Sequence, residues 1–322
     1  MKRIGTGKLR EQNDILVYKL LLNNIIVTKR MLADETGLSI VTVGTIINEF
    51  ENKNIIVENN SIIPPKGRPS KEYRLNKDYF HQLLIYLYVE DNNTYLSFQR
   101  LDANDNLLEN KEYKYNGSSI NALRVLINEQ IKKDPFIKYS IIGIPAIISN
   151  NLIVDCDIKN LKELNIKQII ENEFNISLLV MNDMNCCSYG YYKNNNTNDD
   201  ICYVVFPKDT FAGCGTVIDG KLLEGKKSVA GEIAYLPNLN NINYNIDDMA
   251  DTISILSSII NPNTIVITGS RICEDDLSII QHKVLKYIPE SFIPTIVYKK
   301  DINDDYYQGL RYLLNNYICN DI

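Results

Sequence analysis

The chain has 322 residues, 45% of them hydrophobic, with 34 Lys+Arg against 40 Asp+Glu and a formal net charge of −6. That is enough apolar material for two or three packed domains and implies a folded, soluble protein. No run approaches the ~18 apolar residues a membrane span requires, and the opening MKRIGTGKLREQND lacks the apolar core of a secretory signal, so a cytoplasmic protein with no membrane partner is expected.

The charge is unevenly spread. Residues 1–80 carry 13 Lys+Arg and 9 Asp+Glu, leaving 21 and 31 for the remainder, so the N-terminal quarter is the part suited to a polyanion. Seven cysteines, including the adjacent Cys186 and Cys187, show no C-x-C or C-x-x-C spacing. That pattern argues against a disulfide framework or a cysteine zinc site and leaves reduced core thiols as the expectation.

In NDILVYKLLLNN (13–24) apolar residues recur at helical spacing and predict a first helix. Thr28 can cap a second helix containing Met31, Leu32 and Ala33, and Gly37 can take the left-handed conformation that ends it. Ser39 can cap a third, in which Val43, Ile46, Ile47 and Phe50 form one apolar stripe. Two short helices joined by a Gly-containing turn make a helix-turn-helix, whose second helix enters a DNA major groove. Ser39, Ile40, Thr42, Gly44 and Thr45 lie on the face that would meet base edges. NIIVE and KEYRL then read as strands, and PPKGRPS between them as the tip of a hairpin. A hairpin after a helix-turn-helix is a wing, with Lys66 and Arg68 placed to reach phosphates or a narrow minor groove. The segment KLR (8–10) would add phosphate contacts, and NKDYF (76–80) reads as a linker.

From about residue 82 strands alternate with helices. LLIYLYV, TYLSFQRL and KEYKYN are strand-like, SSINALRVLINEQIKK helical and YSIIGIPAII a buried strand. ISLLVMN, MNCCSYGYYK, DICYVVFP, GCGTVIDG, IDDMADTISILSSII, NTIVITG, DDLSIIQHKVLKYI, PTIVYK and DDYYQGLRYLLNNY continue the series. Two βββαβα-like halves predict a two-lobed α/β domain with a cleft between the lobes.

Several strings, in this order and spacing over nearly the whole chain, resemble the ROK family of bacterial transcriptional repressors and sugar kinases, the xylose or N-acetylglucosamine repressor type in particular. They are LADETGLSIVTVGTIINEFENKNII with GRPSKEYRLN, then IIGIPAII, VMNDMNCCSYG and VIDGKLLEGKKSVAGEIAYLP. The resemblance implies a winged helix-turn-helix over 1–78 and an actin-like (ribonuclease H-like, sugar-kinase) domain over 79–322. Lobe I would span about 82–150, lobe II about 175–300 and a C-terminal helix about 303–319. It also implies a homodimer or tetramer.

Carried over by position, Asp183 falls where the family's kinases place the base that deprotonates the sugar hydroxyl, Asn182 beside it could donate to the sugar, and Glu232 falls where the family contacts sugar hydroxyls. Asp183 and Glu232 could equally be inherited residues without present function, since an Asn-Asp helix start is itself a capping device. Other positions depart from the pattern. The first hairpin turn, VEDNNTY, has no glycine, FPKDTFAGCG keeps only Gly213 and Gly215, and ITGSR keeps Gly269. Pro145 is followed by Ala146 rather than Gly, and Ala234-Tyr235 stand in place of the family's Gly-His, with no cysteine-rich motif after them. Tyr235 either lines the cleft or fills space. The histidines His81 and His282 are surface or packing residues, and neither metal nor cofactor is expected.

The resemblance therefore implies a regulator that binds double-stranded DNA, represses carbohydrate-related genes and senses a sugar or sugar phosphate in a catalytically inactive body, where Asp183 is a vestigial base. A variant reading keeps the DNA-binding head but gives the body a partner protein or another metabolite as its signal. The alternative from another class is an ATP-dependent sugar kinase.

Overall fold

A computed structural model of the chain describes residues 6–23, 26–59, 71–91, 93–195 and 198–321. The N-terminal part is three helices and a small sheet: α1 (Thr6–Asn23), β1 (Val27–Thr28), α2 (Lys29–Thr36), α3 (Ile40–Asn52), β2 (Ile56–Asn59) and β3 (Glu72–Leu75). The Thr28 hydroxyl accepts the Met31 amide at 3.2 Å and the Ser39 hydroxyl that of Thr42 at 3.1 Å, so each short helix has one of its orphan donors satisfied by its cap. Between them Gly37 sits at φ 70°, a conformation that would strain other residues, and its amide donates to the Ala33 carbonyl. Val43, Ile46, Ile47 and Phe50 of α3 are buried in one cluster with Val17, Tyr18, Leu21 and Leu22 of α1. β3 pairs with β1 on one side and β2 on the other, the winged arrangement. α1 begins seven residues before the expected start; its first two turns carry no apolar period, so the pattern gave no signal there. The hairpin tip with Lys66 and Arg68 lies outside the described residues.

The rest is built on two five-stranded sheets. The first contains β4 (His81–Glu90), β5 (Asn93–Asp102), β6 (Leu107–Tyr115), β7 (Ile137–Ile144) and β10 (Ser177–Asn182), in the order β6-β5-β4-β7-β10. The second contains β11 (Ile201–Val205), β12 (Gly213–Ile218), β13 (Lys221–Leu222), β14 (Thr264–Thr268) and β15 (Thr295–Tyr298), in the order β13-β12-β11-β14-β15. Each has an antiparallel meander on one side of its central strand and two parallel strands on the other, so the halves share one topology. The parallel strands are reached through helices, α4 (Ser119–Lys133) and α5 (Ile166–Glu173) in the first half, α7 (Ile246–Ile259) and α8 (Asp276–Val284) in the second.

Three expectations are corrected. YSIIGIPAII is not one strand: Pro145 donates no hydrogen bond, β7 stops at Ile144, and β8 (Ala146–Ser149) turns away to pair with β9 (Leu152–Cys156) in a separate ribbon. The first lobe does not end near residue 150. The strand Ser177–Asn182, expected to open lobe II, lies parallel to β7 in the first sheet. Nor is NKDYF a free linker: Phe80 is fully buried, its ring edge-on to Tyr139 at 5.3 Å, within one cluster that also holds Tyr18 and Cys319. The N-terminal part and the body thus share a core.

Two helices cross between the sheets. α6 (Asp183–Asn194) leaves the first sheet and packs on β11 and β12 of the second; α9 (Asn303–Asp321) leaves the second and packs on β4 and β7 of the first. Where they meet, a Cβ on Gly190 would stand 1.7 Å from the Asp305 carbonyl oxygen, and one on Gly309 1.9 Å from that of Cys186. Only glycine lets the two backbones approach this closely.

Gly309→Ala is expected to lower stability by about 3 kcal/mol, since backbone rather than a flexible side chain must give way. Gly44→Ala, whose methyl meets open space on α3, should raise it by about 1 kcal/mol. Denaturant midpoints of the two variants check both.

Candidate functional site

Two regions stand out, the outer face of α3 and the interlobe cleft. On α3 the buried stripe fixes which side faces out. Ile40 is 60% and Val41 80% exposed, an apolar pair presented to solvent at the first turn of a capped helix. Ser39 and Thr45 are also exposed, with Thr42 and Gly44 half-buried beside them. Part of the polar capacity is already used: Ser39 Oγ and Thr42 Oγ1 are hydrogen-bonded at 2.8 Å, and Thr45 Oγ1 donates to the Val41 carbonyl at 3.1 Å. Gly44 has nothing within 4 Å of a Cβ position, so no packing within the chain requires a glycine there, although glycine weakens a helix. Val41 was missed from sequence, yet the signal was present, because an apolar residue off the 43/46/47/50 stripe must face outward. Arg10, expected to face phosphate, is ion-paired with Glu49 of α3. Lys29 of α2 donates to Asn48 at 3.2 Å and lies over the Tyr73 ring.

The cleft is a cavity of about 1060 Å³, and it brings Asn182, Asp183, Glu232 and Tyr235 together. Asn182 ends β10 and caps α6, its Oδ1 accepting the Asn185 amide at 3.0 Å while its Nδ2 donates to the Ala146 carbonyl at 3.1 Å. One amide hydrogen remains. Asp183 opens α6 and accepts the Met184 amide at 2.8 Å. Burial, reinforced by the charges of Asp157 and Glu232, pushes its carboxyl up to about 7. Glu232 is raised to about 7 by burial and by Asp157 and Asp155. Asp155 and Asp157 come from β9 and the turn after it, a segment to which the sequence pattern assigned no element. Tyr235 is 62% exposed on a short turn, Ile233–Tyr235, and lines the cleft instead of filling space.

The lobe II side of the cleft is built differently. The Lys208 amide donates to Ser270 Oγ at 3.0 Å. The Arg271 guanidinium donates to the carbonyls of Pro207, Lys208 and Ile242 at 3.2, 2.8 and 2.7 Å and lies over the Tyr244 ring. The loop after β11 is pinned by these bonds, and Phe211 projects from it half-exposed into the cleft. A phosphate cradle needs free, converging amides; in this loop the Lys208 amide is already bonded to Ser270. His81 is buried, bonded through Nδ1 to Asp134 at 2.6 Å and packed on Phe136, whereas His282 is exposed on α8. Among the described residues no group of three or more His, Cys, Asp or Glu is arranged to hold a metal ion, and no helix is long and apolar enough to cross a membrane.

Residues 92–238 match the model of the ROK family, and residues 1–113 match a second model, Firmicute plasmid replication protein (RepL). The xylose repressor of Bacillus spizizenii is 23% identical over 239 residues, covering 71% of this chain and 61% of that protein. The xylose repressor of Staphylococcus xylosus is 24% identical over 313 residues, covering 86% of this chain and 76% of its own. The chain thus spans about three fifths of the first of these relatives and three quarters of the second. A solved ROK family transcriptional regulator, a homolog of the E. coli MLC protein, superposes with a TM-score of 0.73 over 97% of both chains at 15% identity. A ROK family glucokinase from Streptomyces griseus, solved with glucose and AMPPNP, gives 0.57 over 73% of this chain and 99% of its own at 12% identity. The body therefore has the sugar-kinase fold.

The raised carboxyls give a pH signature. In the folded protein Asp183 and Glu232 hold protons up to about pH 7, whereas in the unfolded chain they release them in the ordinary carboxylate range. The native state then binds more protons across this window, and stability falls as pH rises through it. Asp183→Asn should flatten that slope, shrinking the stability difference between pH 5 and pH 8 by about 1–2 kcal/mol. Denaturant titrations at the two pH values would contradict the account if the slope were unchanged.

Proposed function

We propose that this chain, whose residues 92–238 match the ROK family model, is a DNA-binding transcriptional repressor of carbohydrate genes whose sugar-kinase-fold body senses a sugar and does not phosphorylate it. In this reading residues 1–78 form the reading head and 79–322 the sensing and assembly body. Two or four copies place their heads on a two-fold symmetric site in the cytoplasm, with half-sites about 10 bp apart or a multiple of that.

The observation that carries the reading is the solvent-facing Ile40–Val41 pair on a capped α3, next to a Gly44 that nothing in the chain demands. Exposed aliphatic side chains on such a helix suit thymine methyls in the major groove, and a glycine there allows close backbone approach. Ser39, Thr42 and Thr45 supply the hydrogen bonds left over from capping. Lys66 and Arg68, in the wing tip, supply phosphate contacts, which position the head without reading sequence.

At the cleft, Asn182 offers its remaining amide hydrogen, and Asp183 and Glu232 can act as donors or acceptors near neutrality, a set suited to sugar hydroxyls. Tyr235 offers a ring face at the mouth. Relatives named xylose repressors support a pentose as the first effector to try. Phosphoryl transfer needs positioned phosphates as well as a base, and the turns VEDNNTY and FPKDTFAGCG, poor in the glycines of the family's phosphate loops, argue against that positioning.

The test uses the full-length chain and a duplex that it selects from a random pool. Binding should weaken steeply with salt. Arg68→Ala should weaken it equally on all sequences, while Val41→Ala should cost about 1 kcal/mol at one A·T position and little elsewhere. Retention of no duplex at low salt would end this reading. Incubation with ATP and xylose or glucose should give no sugar phosphate, and turnover abolished by Asp183→Ala would favour the kinase instead.

A further inference from the structure

α9 joins the cleft to the head. Its 19 residues make a rod about 28 Å long. At one end Asn303 lines the cavity, and Tyr306 stacks on Tyr86, itself a cleft-wall residue, with ring centroids 3.7 Å apart. Next to Tyr306, Asp305 is buried and held by Lys299 at 2.5 Å and by the Tyr203 hydroxyl at 3.1 Å, which ties the helix start to the second lobe. In the middle Gly309 meets α6, the helix that begins with Asp183 at the cleft floor. Further along, Arg311 pairs with Asp105 at 3.2 Å, and Leu310, Leu314 and Ile318 are fully buried. At the far end Cys319 is buried in the same cluster as Tyr18 of α1 and lies close enough to raise the phenol's pKa. Tyr18 in turn is edge-on to Phe50 of α3 at 6.1 Å.

A packed rod of this kind cannot absorb a displacement at one end by local flexing, because close-packed cores transmit strain. The backbone contact at Gly190 and Gly309 removes the remaining freedom, since neither helix can slide without carrying the other. We infer that α9 is the mechanical relay by which the state of the cleft sets the position of the head, with Tyr86 and Tyr306 as its input and Cys319 and Tyr18 as its output. Only the roles of the two ends, effector at the cleft and duplex at α3, rest on the function proposed above. The relay operates between the cleft wall at Tyr86 and α1, both of which α9 contacts.

Hydrogen–deuterium exchange on the full-length chain, with neither sugar nor DNA, tests the relay apart from the function. Tyr86→Leu removes the stack at the cleft end. Amides of α9, of residues 14–22 in α1 and of α3 should then exchange at least about tenfold faster, while those of β11 and β14 keep their protection. Cys319→Asp places a charge where the thiol meets α1; in that background Tyr86→Leu should still loosen α9 but leave α3 where Cys319→Asp alone puts it. Unchanged exchange in α1 and α3 on Tyr86→Leu would overturn the relay, as would a Tyr86 effect on α3 that survives Cys319→Asp at full size. Should Tyr86→Leu unfold the whole body, Arg311→Ala, which removes a half-buried pair, serves as the gentler perturbation with the same two criteria. A chain that passes this test but retains no duplex keeps the relay and loses the repressor reading.

Discussion

The crossing of α6 and α9 at Gly190 and Gly309 is the contact on which the rest of the architecture depends. Each lobe hands one helix to the other's sheet, and the two helices touch backbone to backbone. Without that approach the lobes would be separated by the width of two side chains, and the cleft floor, made by the start of α6, would lose its fixed relation to the second lobe. A further close approach secures the same helix: a Cβ on Gly215 of β12 would stand 2.0 Å from the Met184 carbonyl oxygen, so the turn carrying Asp183 lies directly on the second sheet. The geometry of the cleft carboxylates is thus a product of three glycines, none of which lines the cleft with a side chain.

The helix-turn-helix was legible because its determinants are local. Capping residues, a left-handed glycine and a four-residue apolar stripe are each read from neighbours in sequence, and Thr28, Gly37, Ser39, Val43, Ile46, Ile47 and Phe50 all take the positions their types dictate. What escaped was set at long range. The bend at Pro145 redirects a run whose composition reads as one strand, and the side to which Ser177–Asn182 pairs depends on a crossover through α5 that a periodicity scan does not see. The cleft residues Asn182, Asp183, Glu232 and Tyr235 were found through resemblance, not through any pattern of their own. Asp157 was not found, because a carboxylate on a surface turn looks like any other until the fold places it beside Asp183.

The two sides of the cleft are built differently. On the acidic side the helix start, its cap and two carboxyls with raised proton affinity preserve a geometry able to meet hydroxyl groups. On the opposite side Arg271 satisfies three carbonyls and Tyr244 adds a bond to Pro207, which fixes the start of the loop after β11.

The burial of Phe80 and Tyr18 in one cluster with Tyr139 and Cys319 bears on how such proteins could be recombined. A chimera spliced at the apparent boundary near residue 78 would graft a foreign N-terminal module onto an aromatic seat shaped for this one, leaving rings unpacked on both halves of the hybrid. Modularity here extends only as far as that seat. On the function proposed above, a working exchange of DNA specificity would have to transplant the outer residues of α3 alone, or carry α1 and the last turns of α9 along as a matched pair.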